Sequence, residues 1–195
     1  MIQTEGIFAG GATKPYIEEI YDSDGNLIDV KLYGYTKIRD AAFYGCTNLS
    51  LTSLPEGITN IGGSAFAGCE NLALTSLPAR LTSINNHAFY GCANLSLTSL
   101  PAGLTSIGDA VFYNCTNLAL TSLPEGITSI GDVAFAYCTG LTSLTFLGTP
   151  TSIKSRAFQN CTNLTTINVP WAEGTVVNAP WGATNATINY NYTGG

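Results

Sequence analysis

The side chains whose types could do chemistry are six cysteines, one histidine, a short acidic run and a set of tyrosines, and their spacing decides what that chemistry could be. Cys46, Cys69, Cys92, Cys115, Cys138 and Cys161 recur with a constant period of 23. Six thiols invite a three-disulfide framework. Neighbours one repeat apart could meet the Cα separation of ~4.4 to 6.8 Å that a bridge needs, but thiols at one repeated position all point the same way, which is poor geometry for pairing. The expectation is six free thiols, buried as small hydrophobes. Zinc is disfavoured, because there is a single histidine and no Cys-x-x-Cys pair.

The lone imidazole, His87, shares its repeat position with Ala41, Ser64, Ala110, Val133 and Arg156. A position that accepts such a range is a variable flank, and no acidic residue in a neighbouring column orients the ring for a Ser-His-Asp arrangement. Asp22-Ser23-Asp24-Gly25 resembles the opening of a calcium loop but lacks the third acidic ligand and the distal Glu, so it reads as a hairpin turn. The acidic cluster of Glu18, Glu19, Asp22, Asp24 and Asp29 reads as a solvated hairpin face. Catalytic and metal-binding residues are therefore not expected, nor is a cofactor. Tyr44, Tyr90 and Tyr113 occupy one repeat position, with Tyr137 one place later, while Ala67, Ala136 and Gln159 fill the other sites. Tyrosines at the edges of repeated coils can stack on sugar rings or anchor a protein partner, and they can also cover the turn beneath them. These four are the candidate ligand-binding residues.

The elements that must position them follow from the period. Phe43, Phe66, Phe89, Phe112, Phe135 and Phe158 keep the same step as the cysteines, as do Ile38, Ile61, Ile84, Ile107, Ile130 and Ile153 and the leucines from Leu49 to Leu164. A unit of this length cannot bury four apolar positions alone, but identical coils stacked at about 4.8 Å share one continuous core. The fold expected is a β-rich solenoid of about six 23-residue coils. Within a coil, Cys-x-Asn-Leu-x-Leu-Thr-Ser-Leu-Pro reads as a short parallel strand closed by proline, and Thr-Ser-Ile as a second. Ala-Phe-x-x-Cys has room for one short helical or 3-10 turn.

These residues resemble a known family, the Leu-x-x-Ile-Gly-x-x-Ala-Phe-x-x-Cys repeats of the BspA-like, Treponema pallidum-type leucine-rich repeat proteins of bacterial surfaces. Cys115 to Cys138 is a near-consensus unit, and the resemblance covers roughly Thr36 to Pro170. It implies a right-handed stack used for recognition, surface exposure, a role in adhesion and no catalytic residue. One departure stands out. The family places an apolar residue six after the cysteine, as Leu144 and Ile167 do here, but four units carry Thr52, Thr75, Thr98 and Thr121, and in those units Leu51, Leu74, Leu97 and Leu120 stand one place earlier. The expectation is compensation, each leucine filling the space left by the sixth residue at a local shift of the strand. The alternative is strict alternation, which would expose four leucines as a binding stripe.

Asn48, Asn71, Asn94, Asn117 and Asn163 form a further column, expected as a buried amide ladder that bonds from coil to coil. The ends differ. Residues 1–35 read as an N-terminal β-hairpin cap, 36–170 as the repeat solenoid, and 171–195 as a C-terminal cap in which Trp171 and Trp181 cover the last layer and Thr187-Ile188-Asn189-Tyr190 forms a terminal strand. That closing segment also resembles the tails of short prophage-encoded members of the family.

With 7 basic and 13 acidic residues the net charge is −6, and the few cations form no stripe for a phosphate backbone, so nucleic acid is not an expected partner. The uncharged stretch from Leu81 to Gly108 is interrupted by Asn, Ser and Thr and is not expected to insert in a membrane. Met1-Ile2-Gln3-Thr4-Glu5 lacks the basic and apolar regions of a secretory signal. The expected function is non-enzymatic recognition or adhesion, with a protein or glycan partner at the cell surface. The alternative is a structural or virion-associated scaffold, cytoplasmic or carried on a particle.

Overall fold

The structure is a computed structural model that describes residues 15–194. The first fourteen residues of the hairpin cap, and with them the Met1 to Glu5 segment, lie outside the described residues. The chain opens with an antiparallel hairpin, β1 (Tyr16–Tyr21) on β2 (Leu27–Tyr33). Its turn is organised by Asp22, whose carboxylate accepts the backbone N–H groups of Asp24 and Asn26 at 3.0 and 2.8 Å and the Asn26 amide at 2.9 Å. The Asn26 side-chain bond leads the hydrogen bonds that hold this carboxyl below its usual range. The acid thus serves the turn. β2 seals the first coil: Val30 and Leu32 are buried, and Ser50 donates its N–H and hydroxyl to the Ile28 carbonyl.

Ten short strands follow: β3 (Lys37–Ile38), β4 (Asn60–Ile61), β5 (Ser83–Ile84), β6 (Ser106–Ile107), β7 (Ser122–Leu123), β8 (Ser129–Ile130), β9 (Ser143–Phe146), β10 (Ser152–Ile153), β11 (Thr166–Asn168) and β12 (Thr187–Asn189). They lie on two faces of a β-solenoid of about 7 turns. On one face β3, β4 and β5 pair in parallel, as do β6, β8 and β10, with each isoleucine opposite its equivalent one period away. On the other face β7, β9, β11 and β12 form a parallel sheet.

The second face is regular only in its later coils. In the first three, the Leu-Thr-Ser-Leu-Pro segments form no strand. Leu51, Leu74, Leu97 and Leu120 are buried, so the leucine does fill the core and there is no exposed leucine stripe. The consequence is that Thr75 and Ser76, like Thr98 and Ser99, both face solvent. Two successive outward residues break the period-2 pleat that a ladder needs. Where Leu144 and Ile167 restore the alternation, β9 and β11 form.

The turn carrying Ala-Phe-x-x-Cys is compact without being a continuous helix. Alternate N–H groups bond within the coil, Tyr90 to the His87 carbonyl at 3.0 Å and Cys92 to Phe89 at 3.1 Å. Those between them reach the next coil, Phe89 to Val111 at 3.0 Å and Gly91 to Tyr113 at 2.8 Å. In the first five coils this zigzag places left-handed residues at two positions, of which His87 (φ 61°) and Gly91 (φ 73°) are one pair. The turn drives the six phenylalanines into a stack with successive ring centroids 5.2, 5.5, 5.7, 5.4 and 5.2 Å apart.

The C-terminal segment is itself a seventh coil. β12 pairs with β11 at a sequence offset of 21 in place of the usual 23, Thr166 opposite Thr187. Trp181, fully buried and one period after Phe158, takes the phenylalanine position, and Phe158 donates its N–H to the Trp181 carbonyl at 2.9 Å. Trp171 closes the layer edge-on against Phe146 at 5.2 Å.

Candidate functional site

The tyrosines stand at the outer corner of the turn, immediately after the phenylalanines that anchor it. Because Phe89 and Phe112 stack in register, the next residue in each coil is carried outward in register too. Tyr90 and Tyr113 therefore stack face to face, centroids 4.6 Å apart and planes within 1°. Tyr137 comes from the next column, at a left-handed residue (φ 62°), and its ring meets Tyr113 at 5.2 Å with a 58° tilt. Tyr90 and Tyr137 are exposed, and Tyr113 is half-buried between them. Partial desolvation, reinforced by Tyr137 and Tyr90, pushes the Tyr113 phenol up. His87 is exposed, 6.1 Å from the Tyr90 ring. Tyr44, 68% exposed, stands two coils away beyond the buried Ala67. The structure thus brings Tyr90, Tyr113 and Tyr137 together and leaves Tyr44 apart.

The cysteines have a structural task. All six are free, and the thiols of Cys69, Cys92, Cys115, Cys138 and Cys161 each donate to the phenylalanine carbonyl of the preceding coil at 2.9 to 3.1 Å. The same carbonyl accepts the N–H of its own coil's cysteine, as Phe43 does from Cys46 at 3.2 Å, so both lone pairs are used. Burial pushes the Cys69 and Cys161 thiols up to about 12 and the three between them well above their ordinary value. Cys46 departs from the expected burial: it is half-buried, since no earlier coil covers it.

The asparagine column is also corrected. Asn48, Asn71, Asn94, Asn117 and Asn163 are exposed, because the bend after the cysteine turns its second residue outward. Amide bonds still run between coils, from Asn94 to Asn71 at 3.2 Å and Asn117 to Asn94 at 3.4 Å, while Asn163 donates to the Thr139 carbonyl at 2.8 Å. A second ladder had no place in the sequence reading. Asp40, Asn86 and Asp109 each accept the backbone N–H of the equivalent residue one coil on, Gly63, Asp109 and Asp132, at 2.6, 3.0 and 2.7 Å. Its sequence signal is a carboxylate or amide recurring at multiples of 23 just after Ile-x. Among the described residues no group of three or more His, Cys, Asp or Glu could hold a metal ion, and no helix is long and apolar enough to cross a membrane.

A model of the BspA type leucine-rich repeat region matches six copies over residues 36–165. The chain belongs to the BspA-type leucine-rich repeat family. Among solved structures, this BspA-type chain is similar to the T. pallidum leucine-rich repeat protein, at 28% identity and a TM-score of 0.60, over 78% of this chain and 81% of that one. A leucine-rich repeat protein from Bacteroides ovatus matches at 24% identity and a TM-score of 0.62, over 83% of this chain and 47% of its own. The pneumococcal vaccine antigen PcpA matches at 18% identity and a TM-score of 0.53, over 88% of this chain and 48% of its own. The present chain thus spans about half the length of the latter two. A comparison with curated proteins finds no match.

Proposed function

We propose that this BspA-type repeat chain is a non-enzymatic recognition module of the bacterial cell surface, whose partner, a protein or a glycan, docks on the tyrosine edge. The observation that supports the reading is the trio Tyr90, Tyr113 and Tyr137, the first two in register and the third tilted against them, gathered at the outer corner of the turn that the Phe stack anchors. Tyrosine offers wide contact area and a hydroxyl at low conformational cost, and its position on a fixed turn removes most of the ordering entropy that binding would otherwise oppose. Surface placement rests on the family's membership among bacterial surface proteins.

The test is binding of the purified chain to glycan arrays and host surface proteins beside a Tyr90→Ala, Tyr113→Ala, Tyr137→Ala variant. Loss of even one central aromatic anchor costs about 2 kcal/mol, roughly thirtyfold in Kd. The variant should lose binding by at least that factor with an unchanged circular dichroism spectrum. Binding that survives the triple substitution refutes the tyrosine edge.

A further inference from the structure

The third coil breaks the repeat in a way its neighbours had to accommodate. Arg39, Asn85 and Lys154 follow the isoleucine of the first strand face in coils one, three and six, whereas in coils two, four and five glycine holds that position: Gly62, Gly108 and Gly131. The reason is steric. A Cβ at these positions would lie 2.5, 2.2 and 2.5 Å from the capping oxygens of Asp40, Asn86 and Asp109 on the coil before. At Gly108 the cap oxygen alone excludes a side chain, while at Gly62 and Gly131 the backbone of the coil before stands equally close. Coil three carries Asn85 at this position, and the coil before it carries Gly63 where the cap would be. With glycine at 63, no capping oxygen stands beside Asn85.

The stack does not require this exchange, since a Cβ at Gly63 meets nothing closer than 3.5 Å and its φ is not left-handed, so a capping side chain fits there. Beside Asn85 lies a shallow groove of about 420 Å³, whose lining includes Asp40, Gly63, Ser83, Asn85, Ser106 and Gly108. Within it Ser83 donates its hydroxyl to Asn85 Oδ1 at 3.1 Å, which orients the amide and leaves its nitrogen without a partner among the described residues. The lining is hydroxyl, amide and glycine backbone with one carboxylate and no cation, and its single aliphatic residue, Ile84, is buried. An apolar anchor or an anion finds no counterpart here. A neutral polyol, whose hydroxyls both donate and accept, matches the set.

We infer that this groove binds a neutral oligosaccharide, with the Asn85 amide, Ser83, Ser106 and Asp40 as its hydrogen-bonding groups. The inference rests on the glycan form of the recognition reading and adds a subsite to it on the strand face. The test titrates cellotetraose, maltotetraose and N-acetylchitotetraose into the ¹⁵N-labelled chain and follows the Asn85 side-chain amide and the Gly63 and Gly108 backbone amides by NMR. Its partner variant is Gly63→Asp with Asn85→Gly, which rebuilds the repeat's own cap, so its melting temperature should equal or exceed that of the parent. At least one sugar should shift those signals in the parent, and the double variant should weaken it at least tenfold while Tyr113→Ala leaves the groove signals responsive. No shift with any of the three sugars, or equal binding by the cap-restored variant, overturns the groove. Sugar shifts confined to the tyrosines and surviving in that variant refute the groove while leaving the tyrosine edge standing.

Discussion

Phe112→Ala removes the ring at the middle of the aromatic stack and reports on how the solenoid is held. Phe112 is fully buried and lies between Phe89 and Phe135 at 5.7 and 5.4 Å. A phenylalanine removes about 150 Å² or more from water, which at ~25 cal/mol per Å² is about 4 kcal/mol of transfer free energy. The coils above and below are fixed by their own ladders and cannot collapse into the gap, so the site should sit within the range of ~3 to 5 kcal/mol seen for such truncations. Phe43 is the control: it has one stacked neighbour, Phe66 at 5.2 Å, and no coil precedes its own. Its truncation should cost less, about 2 to 3 kcal/mol. Urea melts followed by circular dichroism and by the fluorescence of Trp171 and Trp181 would measure both and would reveal whether the C-terminal coil unfolds with the rest. A Phe112→Ala midpoint equal to the parent's, or a larger loss at Phe43, would refute the account of a central layer held open by its neighbours.

Two further outcomes follow from the ladders. In native chain at about pH 8, iodoacetamide should label Cys46 well ahead of the other five, because the thiolate is the reactive form and burial keeps Cys69 and Cys161, raised to about 12, protonated there; mass spectrometry showing equal labelling of Cys46 and Cys115 would contradict this. Val133 holds a left-handed φ of 48° despite its branched Cβ, so Val133→Asn should stabilise by about 1 kcal/mol, read as a rise in melting temperature, and a fall would show that its packing outweighs the strain.

How much of this was legible in the sequence depends on what a period can report. Equal spacing states which residues share a column, and that was enough for the Phe stack, the inward isoleucines and the compensating leucines. It does not state which way a column points when the backbone alternates between right- and left-handed residues. Ala41, Ser64, His87 and Val133 carry no common left-handed signal, so the asparagines that follow the bend came out exposed rather than buried. The seventh coil was hidden for a different reason. Its strand pairing contracts to an offset of 21 and its phenylalanine is a tryptophan, so the columns change type there, and the pairing of β11 with β12 and the Phe158–Trp181 bond reveal it. The tyrosine candidates were visible as residues, but the tilt of Tyr137 and the isolation of Tyr44 depend on ring geometry.

In a stack where each residue's neighbours are its own equivalents, a lone departure from the pattern meets unchanged partners and is opposed by them. Departures therefore come in pairs, within a coil or one period apart. Leu74 moves inward as Thr75 moves out, and Asn85 appears where Gly63 has withdrawn a cap. Lys154 follows the same rule from the other direction. The preceding coil carries Asp132, whose carboxylate turns away to take the Arg156 Nε at 3.1 Å instead of capping, which clears the position that Gly131 must leave empty above Asp109. A paired exchange that merely preserves packing, like the leucine and threonine swap, recurs in coil after coil. One that exchanges a backbone cap for an exposed polar side chain contributes nothing to packing and is found at two junctions on the strand face, Gly63 with Asn85 and Asp132 with Lys154, of which only the first lines the groove. That asymmetry is the physical ground for locating specificity in the third coil rather than in the repeats that resemble one another.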